Sequence, residues 1–85
     1  MDREEVIRIG RLARDVKANE AYEYAVSLVV NELFGKFLAT DPDGAVDREK
    51  LWAEGQAVDA INRKLDALIS SGDLEQSNKS AEKGD

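Results

Sequence analysis

The chain has 85 residues, a net charge of −6, no His, no Cys and a single Pro. A length of this order supports one domain at most, and a core so small is marginal without a staple or a partner. Lacking His and Cys, the sequence offers neither the commonest general base, nor a thiolate nucleophile, nor the usual zinc ligands. It therefore reads as non-enzymatic, with no catalytic, cofactor-binding or metal-ligating residue to assign.

The charge is unevenly spread. Residues 1–17 carry five basic groups against four acidic ones, and residues 18–85 carry seven against fourteen. Phosphate binding needs a net basic footprint, which only the first segment could supply. No apolar run exceeds Leu28-Val29-Val30, so no membrane partner is expected, and Met1-Asp2-Arg3-Glu4-Glu5 lacks an apolar signal core. The expected setting is the cytoplasm, or a particle assembled there.

At 100° per residue, Val6, Ile9, Leu12, Ala13 and Val16 fall on one arc of a helix over residues 3–17. Arg3, Arg8, Arg11 and Arg14 take the opposite face, with Lys17 at its edge. This face either contacts phosphate or an acidic partner, or is a solvated face neutralised by the i,i+4 pairs Glu4–Arg8 and Arg11–Asp15. Past Lys17 the stripe loses phase and would land on Glu20, Glu23 and Ser27, which predicts a break or bend with Asn19 as a new N-cap.

From residue 20 to 39 the stripe resumes through Tyr22, Val26, Val29, Val30, Leu33 and Phe37, with Phe34 at its edge and Tyr24, Leu28 and Leu38 on the other side. A helix apolar on more than one face is central in its assembly. Thr40-Asp41-Pro42-Asp43-Gly44 is a turn by composition, with Gly44 free to adopt positive φ. Asp47 is then the expected N-cap of a last helix, with Val46 and Leu51 as a hydrophobic staple. Leu51, Val58, Ile61, Leu65, Leu68 and Ile69 form its stripe, Asn62 stands at the margin, and Gly72 is the expected stop. Residues 75–85 hold no large apolar side chain and are expected to be a disordered polar tail on a domain spanning 1–74.

The fold expected is all-α: an antiparallel helical hairpin with an additional N-terminal amphipathic helix, gathered into an oligomeric bundle. Trp52 lies beside a polar face bearing Gln56, Asp59 and Arg63, where it either anchors an interface or folds back over the end of the hairpin. Trp52, Tyr24, Leu28, Leu51, Val58 and Leu65 are the candidate protein-interaction residues. Asp41, Asp43 and Gly44 faintly suggest a calcium loop, but the position that needs a bidentate Glu is Trp52.

Two stretches stand out: Arg11-Leu12-Ala13-Arg14 followed by Asn19-Glu20-Ala21-Tyr22, and Asp47-Arg48-Glu49-Lys50-Leu51-Trp52 running into Ala57-Val58-Asp59-Ala60-Ile61, Lys64-Leu65 and Gly72. In these stretches the chain resembles small helical proteins encoded among the structural genes of tailed bacteriophages. The resemblance covers residues 11–74 and implies a phage origin with a virion or assembly role. The first expectation is an interaction module that binds itself and another protein, in the host cytoplasm or the virion. The alternatives are a nucleic-acid-binding adaptor of the small-terminase kind, using the Arg face, and an acidic inhibitor of a host protein.

Overall fold

The computed structural model describes residues 1–83 as three helices: α1 (Arg3–Ala18), α2 (Glu20–Leu38) and α3 (Ala45–Lys83). The chain is all-α, with no strand among the described residues. Arg3 lies against Glu75 and Glu82, Lys17 against Asp66, and Tyr22 against Asn62. Numbers rise along α1 and α2 as they fall along α3, so the two shorter helices lie end to end, antiparallel on one long helix. The result is a rod of 65 × 24 × 17 Å with a radius of gyration of 18.3 Å. A compact chain of this length would have roughly 12 Å.

Local chemistry accounts for the boundaries. The Asp2 carboxylate caps α1 by accepting from the Glu5 N–H at 2.8 Å. Asn19 is the only residue between α1 and α2: its extended backbone breaks the helix, and its side chain accepts from the Tyr22 N–H at 3.0 Å. This is the break that the phase loss predicts. Between α2 and α3 the turn is tied by Arg48, whose guanidinium donates to the carbonyls of Asp41 at 2.7 Å and Pro42 at 3.3 Å.

Three expectations about α3 and its approach are corrected. The helix starts at Ala45, because the Gly44 carbonyl already accepts the Arg48 N–H at 3.0 Å. Asp47 therefore sits in the first turn rather than at the N-cap, where it still suits the helix dipole, and Val46 is exposed instead of stapled. Gly44 has no positive φ. Nor does α3 stop at Gly72: it runs on to Lys83, so residues 75–83 are helix rather than disordered tail, and residues 84–85 lie outside the described residues. Gly72 is needed for a close crossing with α1, not for a helix end.

That crossing sets the face α1 buries. Gly10 meets Gly72 so closely that a methyl group on Gly10 would stand 2.8 Å from the Leu68 carbonyl oxygen and 2.9 Å from Gly72 Cα. To bring Gly10 inward, α1 turns away from its most apolar stripe. Ile7, Gly10 and Ala13 are buried, while Leu12 and Val16 stay exposed. Ile7 and Ala13 are the only buried hydrophobic side chains among the described residues.

Along α3, Leu51, Gly55, Val58, Asn62, Leu65, Ile69, Gly72, Gln76 and Lys79 are half-buried or buried and alternate by four and three residues, with Arg48, Asp59 and Glu75 half-buried beside them. That 3.5-residue period keeps one seam of a long helix facing its neighbours. Ile61 and Leu68, placed on the stripe by sequence, fall outside the seam and are exposed.

Candidate protein-interaction surface

The rod has two chemically different halves. In the stem, α1 packs extensively on the C-terminal half of α3; in the arm, α2 packs far more sparsely on its N-terminal half.

The stem consumes the Arg face. Arg3 donates Nε to Glu75 at 3.0 Å and forks both Nη atoms onto Glu82 at 2.6 and 2.9 Å. The two hydrogen bonds from Arg3 hold the Glu82 carboxyl below its ordinary pKa, and the carboxylates in turn raise that of Arg3. Arg14 pairs with Asp73 at 2.6 Å, Lys17 with Asp66, and Lys79 with Glu4 at 2.8 Å. Arg11 reaches across to the Gln76 side-chain oxygen at 2.8 Å rather than along its own helix to Asp15. Arg8 lines a shallow hollow with Asp2, Glu4, Glu5 and Leu12. Each exposed pair contributes little alone. Together they align the stem, and they leave the expected basic face largely occupied by acidic or amide partners on α3.

The arm holds the interaction candidates, which divide into two groups. Leu51, Val58 and Leu65 are half-buried on the α3 seam and hold the arm together. Trp52, Tyr24 and Leu28 are exposed, Trp52 at 67% and Tyr24 at 66%. Within the arm one polar contact fixes the register of α2 on α3. The Tyr22 hydroxyl donates to Asn62 Oδ1 at 2.7 Å, and Asn62 Nδ2 donates to the Val58 carbonyl at 3.1 Å. Asn62 thus sits between the helices rather than at a solvated margin.

Trp52 lies on the rim of an open apolar groove of about 360 Å³, lined by Val30, Leu33, Phe34, Phe37, Leu51 and Gly55. Periodicity places Phe34 at the edge of the α2 stripe and Phe37 on it; the groove they share with Trp52 forms only where α2 meets α3. The i,i+4,i+7 spacing of Val30, Phe34 and Phe37 marks the α2 wall of that groove, but not its pairing with α3. A smaller apolar groove of about 190 Å³ opens between Val29, Val58 and Ile61.

The outward side of α2 is the larger feature. From Ala21 to Ala39, the arc of roughly 120° pointing away from α3 holds Ala21, Tyr24, Ser27, Leu28, Asn31, Gly35, Leu38 and Ala39, all exposed and none charged, with Glu20 on the same arc at the N-terminal end of the helix. The charged residues of that span, Glu23, Glu32 and Lys36, all lie outside the arc. In a chain of 35% charged residues, a charge-free solvent face over most of a helix is unusual. No residue of α2 is fully buried.

Among the described residues no group of three or more carboxylates gathers to hold a metal ion, and no helix is long and apolar enough to cross a membrane. No protein-family model matches the chain, and comparison with curated proteins and with solved structures finds no match.

Proposed function

We propose that this chain is a non-enzymatic helical interaction module: a hairpin whose stem is closed by the N-terminal helix and whose arm receives another protein through the outward face of α2. The observation that carries the reading is that α2 bears apolar side chains both on the side facing α3 and on the opposite side, where Tyr24, Leu28 and Leu38 stand exposed. A helix of that composition belongs inside an assembly, and exposed patches of this extent mark protein contacts. Together with the resemblance over residues 11–74, it supports a phage-type assembly factor or minor virion component, working in the host cytoplasm or the virion. The nucleic-acid adaptor ranks lower, because Arg3, Arg14 and Lys17 are engaged by carboxylates and Arg11 by an amide on α3.

The test is photo-crosslinking in the cell of origin, with benzoylphenylalanine at position 28 in the arm and, as control, at position 63 on the polar side of α3. Position 28 is expected to yield adducts with protein and position 63 few or none. Equal absence of adducts at both positions refutes the reading.

A further inference from the structure

We infer that the occupant of α2's outward face is a second copy of this chain, packed across a two-fold axis near Asn31 to form a four-helix arm. The inference rests on the interaction reading above and names the partner.

Three features of the molecule support a second copy: the area leaves room for a partner, and the charge and the pattern favour one identical to this chain. The first is area. The accessible surface is 6475 Å², against roughly 5,000 Å² for a folded chain of this mass. The excess of about 1,500 Å² exceeds the roughly 800 Å² per partner that a stable interface of standard size buries.

The second is charge. Residues 20–66 carry ten acidic and five basic groups, so two copies of the arm repel unless they meet where neither is charged. The outward arc is such a place. An unrelated partner of opposite sign would gain more from a face bearing carboxylates, and on this side α2 has only Glu20, at its N-terminal end and outside the stretch from Tyr24 to Leu38.

The third is pattern. Tyr24, Leu28, Asn31, Gly35 and Leu38 repeat at spacings of four, three, four and three, the seam of a two-helix contact on the side opposite the one α3 uses. Gly35 has nothing within 4 Å of where a methyl group would project, which leaves room for a neighbouring backbone or for Leu28 of the other copy. Asn31 is the only amide of the seam. Buried against an apolar helix it would lose its hydrogen bonds, whereas against another Asn31 its oxygen and NH₂ are mutually complementary. A single amide in such a seam fixes register and copy number.

Sedimentation equilibrium of the full chain at micromolar concentration is expected to give twice the chain mass of 9.4 kDa. Leu28→Lys and, separately, Asn31→Lys are each expected to weaken association by about tenfold or more while keeping the helical ellipticity, since both positions point away from α3. Leu74→Lys, at an exposed stem leucine, is expected to leave association unchanged. Because the chain has no cysteine, Asn31→Cys introduces a single thiol and is expected to give a disulfide-linked dimer on mild oxidation, with Arg63→Cys as the unreactive control. A helical monomer throughout the concentration range overturns the proposal, as does a mass of three or more copies, or association unaffected by both Lys substitutions. If position 28 crosslinks another protein while the chain sediments as a monomer, the interaction reading stands and the second copy is wrong. If the chain neither associates nor crosslinks, both fail.

Discussion

Adding one methyl group at Gly10 tests the stem directly. In an exposed helix interior, Gly→Ala stabilises by about 1 kcal/mol, because it removes backbone freedom from the unfolded chain. At Gly10 the new carbon would stand 2.8 Å from the Leu68 oxygen and 2.9 Å from Gly72 Cα, both backbone atoms that no side-chain rotation can move aside. Restoring ordinary contact means parting α1 from α3 by about 0.5–1 Å. A gap of that size forfeits a quarter to a half of the dispersion energy across it, and overpacking of this kind costs about 1–3 kcal/mol. The gain in helix propensity offsets part of that cost. Gly10→Ala should therefore lie between neutral and about 2 kcal/mol destabilising net, a fall in melting temperature of up to roughly 16 °C for a chain of this size.

Gly55→Ala is the matched control. That glycine also lies inside a helix but has nothing within 4 Å of the added methyl, so the same chemical change should stabilise by about 1 kcal/mol. Thermal unfolding followed by far-ultraviolet circular dichroism at one fixed protein concentration reads both. Gly10→Ala combined with Gly72→Ala should cost less than the two single effects added, because both methyl groups crowd one crossing and the parting that either forces also makes room for the other. Melting temperatures that rise equally for Gly10→Ala and Gly55→Ala would refute the close crossing and with it the orientation assigned to α1.

Two further outcomes are expected. Truncation after Glu75 removes the partners of Arg11, of Glu4 and, in part, of Arg3, so α1 amides should exchange hydrogen faster while α2 amides do not; unchanged exchange in α1 would mean that residues 76–83 do not bind it. Tyr22→Phe leaves Asn62 Oδ1 without its donor between the helices and should cost about 1–2 kcal/mol in a urea titration, whereas a neutral result would show that water reaches the site.

Much of the backbone plan is legible in the sequence, and the reasons differ by element. Asn19 and the Thr40–Gly44 turn announce themselves because capping and turn chemistry are local. The inward-facing Leu51, Val58, Leu65 and Ile69 follow from periodicity in the same way. The face of α1 does not. Periodicity ranks faces by apolar content, but α1 packs by how closely backbones approach, and Gly10 outweighs Leu12 and Val16. Gly72 carries the same ambiguity: a glycine after an apolar stripe reads equally as a helix end or as a contact point, and only the position of Gly10 across from it decides. The polar stretch after Gly72 reads as disordered because its partners Arg3, Glu4 and Arg11 lie more than 60 residues away. On the surface, the exposure of Trp52, Tyr24 and Leu28 follows from their angular positions. The Trp52 groove needs the pairing of α2 with α3 and so could not be read from either helix alone.

Because stem and arm share one continuous helix but not one kind of bonding, dissolved salt acts on them with opposite sign. Simple electrolyte screens the pairs that Arg3, Arg14, Lys17 and Lys79 make, loosening α1. Sulfate or phosphate at high concentration strengthens apolar burial, tightening whatever the arm binds. The molecule is in this sense a lever with two ends answering to different solvents. The ionic medium thus thins the polar rim of the stem, while Ile7, Ala13 and the Gly10–Gly72 crossing keep the first helix seated on α3.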